Sequence, residues 1–269
     1  MCLLLRGKCN RIVLKLLSRA YWQQSRFQLV RKHLVPLANR WHRRRSRPRI
    51  LVYTDSRGNN LPGQFHYLHY PYHLARHYEV DLQLVPHKRT MLPDFLAYLE
   101  GKSYDAIVLH TGIVDYAPRP YSGVVEKIYP AKREKFDRIF GRTAMEHHLT
   151  SPLPETYLGA PTINMYSMEM FERDLLPRLR QIPRLVYVSS CPVVPGWRGN
   201  YFRERPRNLN LYEQFDAIAV PAFERTVDLT QWTHEEVKEK TFDIIHPNEL
   251  GSLEIYERVR RHLRAITGV

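Results

Sequence analysis

From Arg49 onward, short apolar runs alternate with stretches of helical spacing. Arg49–Thr54 (RILVYT) is a nearly continuous apolar run closed by Asp55-Ser56-Arg57-Gly58, the pattern of a buried strand entering a turn. Glu79–Val85 (EVDLQLV) alternates as a second strand. Tyr104–His110 (YDAIVLH) predicts a third, ending at Thr111-Gly112, and Arg184–Ser189 (RLVYVS) a fourth, ending at Ser190-Cys191-Pro192. Between them, Met91–Leu99 and Met168–Leu179 have helical spacing. Asn248–Ile266 predicts a closing helix with Leu253, Tyr256, Val259, Leu263 and Ile266 on one side. Strands separated by helices predict an α/β domain, a parallel sheet covered on both faces. The section from Tyr116 to Thr162 fits neither template and reads as an insertion, either a substrate wall or lid or an inert decoration. Thr233–Lys240 (THEEVKEK) reads as a solvated helix.

The first 48 residues follow another pattern. From Asn10 to about Leu34, Val13, Leu16, Leu17, Ala20 and Phe27 share one helical face, with Lys15, Arg19 and Arg26 opposite. Pro36 interrupts the helix, and Leu37, Ala38 and Trp41 lead into the basic run Arg43–Arg49. Residues 1–49 hold 14 Lys or Arg and no Asp or Glu, so the formal charge of +14 belongs to this arm and the rest of the chain is neutral. An apolar face beside a cationic one, with Trp22 and Trp41 suited to the headgroup zone, fits an anionic membrane surface. A helix packed on the body, a nucleic-acid arm and a transit peptide fit the same charges. Phosphate binding alone does not need the apolar face, so the membrane is preferred over nucleic acid.

Composition narrows the class. At 43% hydrophobic and 25% charged, with 12 Gly and 3 Cys in 269 residues, the chain is neither disordered throughout, nor collagen-like, nor a disulfide scaffold. No run reaches the roughly 18 apolar residues of a spanning helix, and no signal-peptide core follows Arg6 and Lys8. The odd, scattered Cys2, Cys9 and Cys191 suit a reducing compartment. These features predict a cytoplasmic location, peripherally at the inner face of the membrane. There is no Walker loop, no Gly-x-Gly-x-x-Gly and no metal-ligand spacing around His147-His148, so neither cofactor nor metal is expected. Cys191 reads as a buried small hydrophobe, and the His66–Tyr72 cluster as a packed loop or a stacking surface for sugar rings.

Three segments carry candidate chemistry. Ser56 at a strand-to-turn junction would present its hydroxyl above the sheet, beside backbone N–H groups able to hold an oxyanion. Alone, Asp-Ser-Arg-Gly is also an ordinary turn. Asp243-Ile244-Ile245-His246-Pro247-Asn248, with Gly251 beyond, places a carboxylate three residues before a histidine. The carboxylate can fix the imidazole tautomer while the other ring nitrogen deprotonates a nucleophile. Singly, Asp243 also reads as a turn residue and His246 as a partly exposed side chain near a helix start. His110-Thr111-Gly112-Ile113-Val114-Asp115 closes the third strand, with Gly112 allowing a tight turn and Asp115 able to position the loop.

Taken in this order, the segments resemble the SGNH (GDSL-like) hydrolase superfamily over approximately residues 49–265. Thr54-Asp55-Ser56 is similar to its first block, Gly-Asp-Ser, with Thr for Gly, and Asp243 and His246 match its terminal Asp-x-x-His block. The resemblance implies a flavodoxin-like three-layer α/β/α sandwich and metal-free ester hydrolysis or acyl transfer. By position it makes Ser56 the nucleophile, His246 the general base then acid, and Asp243 the orienting carboxylate. It places Gly58, Gly112, Asp115 and Arg119 at the oxyanion or substrate side. The third block departs from the family's Gly-x-Asn-Asp: it reads Gly112-Ile113-Val114-Asp115, and Val114 cannot donate to an oxyanion. Arg119, His110 or a loop group would have to replace the missing Asn. The second block's Gly has no counterpart in Pro86–Thr90.

Gly112–Pro120 (GIVDYAPRP) is similar to a variant in SGNH-like proteins linked with bacterial surface-polysaccharide synthesis. That implies an acylated carbohydrate as substrate, with Arg119 contacting an anionic sugar or an acyl donor's phosphate. The simpler expectation for Arg119 is an ion pair with Asp115. A non-catalytic binding or assembly factor on the same fold is the alternative.

Overall fold

The computed structural model describes residues 47–59, 68–84, 91–200 and 204–269. The amphipathic arm, His66 and the Pro86–Thr90 loop lie outside the described residues.

Strand β1 (Arg49–Thr54) occupies the predicted run, because apolar residues from Ile50 onward sit between the polar Arg49 and the turn-forming Asp55. It pairs in parallel with β2 (Glu79–Leu84) on one side and β3 (Ala106–His110) on the other. After β3 come β4 (Arg119–Pro120), β5 (Leu153–Tyr157) and β6 (Ala160–Ile163). They are followed by β7 (Leu185–Val188) and β8 (Thr226–Val227). The five-stranded parallel sheet has the order β2-β1-β3-β7-β8. This is the flavodoxin-like doubly wound order, in which direction reverses between β1 and β3 and opens a crevice beyond their carboxyl ends.

The helices are α1 (Tyr70–Leu74), α2 (Leu92–Leu99), α3 (Ile113–Tyr116), α4 (Tyr129–Phe140) and α5 (Arg142–Leu149). Then come α6 (Met168–Met170), α7 (Leu176–Arg180), α8 (Leu211–Ala222), α9 (His234–Lys240) and α10 (Glu249–Thr267). Strand alternation assigns them to layers. Tyr53, Leu109 and Tyr187 stand in register on one face of the sheet. Tyr53 packs on Phe95 of α2, and Tyr187 donates to Asp216 of α8 at 2.6 Å. The neighbouring positions Thr54 and His110 face the other way. There the buried Tyr70 of α1 meets the His110 ring, and its backbone N–H donates to Ser252 of α10. Helix α10 packs against α1 and α9 and over β3, β7 and β8. The result is a three-layer α/β architecture.

The section from Tyr116 to Thr162, which fits no template in the sequence, is well structured. A π turn at Gly123–Ile128 runs into α4 and α5, and β5 and β6 form a hairpin with β4 added to its β6 edge. Val124, Ile128, Phe136, Ile139, Phe140 and Met145 bury against the main core. The π turn offsets the helical period, so these apolar positions do not line up at a spacing of 3.6. The predicted Met168–Leu179 helix is likewise interrupted by a π turn at Phe171–Leu175. Arg184 stays out of β7 because its φ is +56°.

Candidate active site

Asp55 ends β1 and caps a single 3₁₀ turn, Ser56–Gly58, by accepting the Arg57 N–H at 3.0 Å. Arg57 folds back onto the same carboxylate, with Nε to Oδ1 and Nη2 to Oδ2 both at 3.0 Å. Its Nη1 donates to Ser190 Oγ at 2.9 Å. Both partners are buried, a costly arrangement that the fork geometry compensates. Burial works against the guanidinium charge, but Asp55 more than offsets it, so Arg57 stays above its ordinary pKa. Ser190 N–H and Tyr187 in turn donate to the buried Asp216, which ties the serine turn to β7 and α8. Gly58 is sterically required, since a Cβ would collide with the Thr54 side chain. Its N–H is committed to the Asp55 carbonyl at 3.1 Å, so Gly58 shapes the turn and offers no donor to an oxyanion. The Ser56 N–H opens the turn and by position has no acceptor within it.

The loop Phe242–Pro247 is pinched shut at its base by the bridge between Thr241 and Pro247 and by Phe242 N–H donating to His246 O at 2.8 Å. Inside it, Asp243 Oδ1 accepts the N–H groups of Ile245 and His246, both at 2.8 Å. Asn248 caps α10 through the Gly251 N–H, and Gly251 lets the helix start close on the Lys240 carbonyl. The Pro-Asn-x-x-Gly run after His246 therefore fixes where the helix begins and hence where the histidine stands.

Across the crevice, Ser56 Oγ lies 2.8 Å from His246 Nε2, and His246 Nδ1 lies 3.0 Å from both Asp243 oxygens. A carboxylate only accepts, so Nδ1 carries the hydrogen and Nε2 is left as the acceptor for the serine hydroxyl. Asp243 is fully buried, and burial alone would raise its pKa. Electrostatic attraction to His246, its hydrogen bonds and the nearby Arg205 reverse this and bring it to about 2. Arg205 Nη2 donates to Asp243 Oδ2 at 2.9 Å. His69 lies beside His246, where burial holds its imidazole down to about 3.

The remaining sequence candidates divide differently. Gly112 begins the loop after β3 with φ +124°, and a Cβ there would stand 2.8 Å from the Tyr116 ring. Asp115 turns into the interior and accepts the Leu92 N–H at 3.2 Å, holding the start of α2. Burial raises its carboxyl to about 8. The expected Arg119–Asp115 ion pair does not form. Arg119 instead wraps back onto the Val114 carbonyl through Nε at 3.0 Å and Nη2 at 2.8 Å, because Asp115 faces the core on the far side of the short helix. His110, a candidate substitute donor, is buried under α1 with Nδ1 3.1 Å from Tyr70 Oη. Cys191 is buried, with Sγ 3.3 Å from Ile244 O and its thiol pushed up to about 12 by burial. Among the described residues, no three His, Cys, Asp or Glu side chains are placed to hold a metal ion.

Sequence reasoning missed Arg205 and the buried Arg57 lock. Arg57 had a signal in its place two residues after Asp55. Arg205 had none, since its partner is 38 residues away on another loop.

No known family profile and no curated protein matches the chain. Among solved structures, a salicylyl-acyltransferase of a tetracycline biosynthetic pathway, SsfX3, is similar at 20% identity and a TM-score of 0.41. The likeness covers 84% of this chain and 56% of that one. At that level it carries no argument about activity.

Proposed function

We propose that this chain is a serine-dependent ester hydrolase or O-acyltransferase, with an acylated carbohydrate as substrate. The observation that carries the reading is the continuous path Ser56 Oγ–His246 Nε2 and His246 Nδ1–Asp243, assembled from two loops 190 residues apart. A turn serine, a histidine with the correct tautomer and an ionised carboxylate are the parts that nucleophilic acyl transfer needs.

In this mechanism His246 Nε2 takes the hydroxyl proton as Ser56 Oγ bonds to the ester carbonyl carbon. Asp243 stabilises the imidazolium so formed. The tetrahedral intermediate then expels the alkoxide, which takes the proton back from Nε2, leaving an acyl group on Ser56. Water or a sugar hydroxyl, deprotonated by His246 in turn, attacks that ester and frees the serine. The Ser56 N–H is the candidate first donor to the oxyanion. Proton transfer by a placed histidine contributes about 10²–10⁴ in rate, and each oxyanion donor about 10²–10³.

The carbohydrate substrate, its place in surface-polysaccharide synthesis and attachment to an anionic membrane through residues 1–48 rest on the sequence resemblance and the charge of the arm. Val114 favours a second reading, a binding or assembly factor that keeps the fold without efficient turnover. Hydrolysis of short p-nitrophenyl esters, measured for the wild type, Ser56→Ala and His246→Ala, tests the first reading. Turnover confined to the wild type supports it, and equal rates in all three contradict it.

A further inference from the structure

We infer that Arg205 is a positioning residue for Asp243, and that the hairpin of the 116–162 insertion buttresses it; this rests on the catalytic reading above. Asp243 is a buried carboxylate surrounded by donors. The Ile245 and His246 N–H groups occupy Oδ1, Arg205 occupies Oδ2, and the imidazole Nδ1–H lies midway between the two oxygens. The two backbone bonds fix one oxygen only. The Arg205 bond fixes the other and thereby sets the plane of the carboxylate on which the imidazole rests. The charge of Arg205 adds to the larger effect of His246 in keeping the fully buried Asp243 ionised, while Arg205 itself is 15% exposed.

The segment carrying Arg205 is held on both flanks by the hairpin. Tyr157 Oη of β5 donates to the Glu204 carbonyl at 3.0 Å. Asn208 Nδ2 donates to Thr162 Oγ1 of β6 at 3.1 Å and to Glu155 of β5 at 3.3 Å. From the other side, Asn200 N–H donates to Phe242 O at 3.1 Å, and Gly199 approaches so closely that a Cβ would stand 2.9 Å from Asp243 Cα. The insertion thus acts through Arg205 and Asp243 on the orientation of His246.

The test measures the rate at which a fluorophosphonate labels Ser56 in wild-type protein, Arg205→Met, Arg205→Lys, Asn208→Ala, Asp243→Asn and the Asp243→Asn/Arg205→Met double variant. Melting temperatures are recorded alongside. Arg205→Met should label about 10- to 100-fold more slowly, the scale of a small misplacement of a reacting group. Arg205→Lys should recover most of that loss and Asn208→Ala should show a smaller one. In the Asp243→Asn background Arg205→Met should add nothing, because coupled residues are not additive. Wild-type labelling by Arg205→Met overturns the inference, as does an equal further loss in the double variant.

If the wild-type protein is not labelled, the catalytic reading fails by itself, and the inference is then judged on the proton NMR signal of the His246 Nδ1–H. A signal present in the wild type and Ser56→Ala, but shifted or lost in Arg205→Met, supports it. An unchanged signal in Arg205→Met overturns it.

Discussion

Ser56 Oγ and His246 Nε2 lie 2.8 Å apart, and in the proposed mechanism one proton passes between them while Asp243 keeps its charge. The two ends of the path should therefore respond differently to substitution. Ser56→Ala and His246→Ala should each abolish the turnover of an activated ester that the proposal assigns to the wild type. Asp243→Asn keeps the shape but allows the wrong imidazole tautomer, for an expected loss of about 10⁴. Val114 poses the opposite test. Its position in α3, directly after β3, is where the resemblance places a donor, and its own carbonyl is taken by Arg119. Val114→Asn should raise ester hydrolysis by up to about 10²–10³ if that donor is what the site lacks. An unchanged rate in a folded Val114→Asn protein would show that oxyanion stabilisation comes from elsewhere.

At the scale of elements, the serine turn depends on the absence of a side chain at Gly58. Gly58→Ala forces a methyl into Thr54 and should cost about 1–3 kcal/mol in urea unfolding. The same change in a Thr54→Gly background should cost clearly less, because the colliding atoms are gone. The short helix α3 after β3 carries a second, pH-dependent feature in Asp115. Its carboxyl is raised to about 8 in the fold, against an ordinary value of 3.8. The folded state holds this proton more tightly, so the stability it contributes is full below about 3.8 and is lost as pH rises to about 8. Asp115→Asn keeps the acceptor for Leu92 N–H and should flatten the stability profile across that window in denaturation series from pH 4 to 9.

The same elements show what the sequence could and could not reveal. β1 was legible because its apolar run is bounded by Arg49 and Asp55, and α10 because Tyr256, Val259 and Leu263 bury at helical spacing, although Leu253, placed on the same side, is exposed and Ile255 is buried instead. The closing Asp-x-x-His loop was legible because capping and tautomer chemistry are both local. Helices α4 and α5 were hidden by the π turn before them and by their few buried positions. Two-residue β8 was too short to leave a pattern, and Pro221 near its end masked α8. The Arg205 bond lies beyond local reasoning, since it joins two irregular loops brought together only by the packed sheet.

At the scale of the whole molecule, the parallel sheet places Ser56 after β1 and Gly112 after β3, on the two sides of the point where strand order reverses. Helix α10 delivers His246 to the same crevice. The proposed membrane attachment of the basic arm has its own test: deleting residues 1–46, which spares the bonds of Arg47 to Ala75 and of Glu79 to Pro48, should leave any esterase activity intact and remove salt-sensitive cosedimentation with phosphatidylserine vesicles. Retained binding by the truncated chain would move the membrane contact to the body. The central claim, an activated serine at position 56, is tested most directly by intact-mass spectrometry after fluorophosphonate treatment, followed by peptide mapping. The account predicts a single adduct on Ser56 that disappears in His246→Ala. A folded wild-type protein that stays unmodified, or an adduct that maps elsewhere, would contradict it.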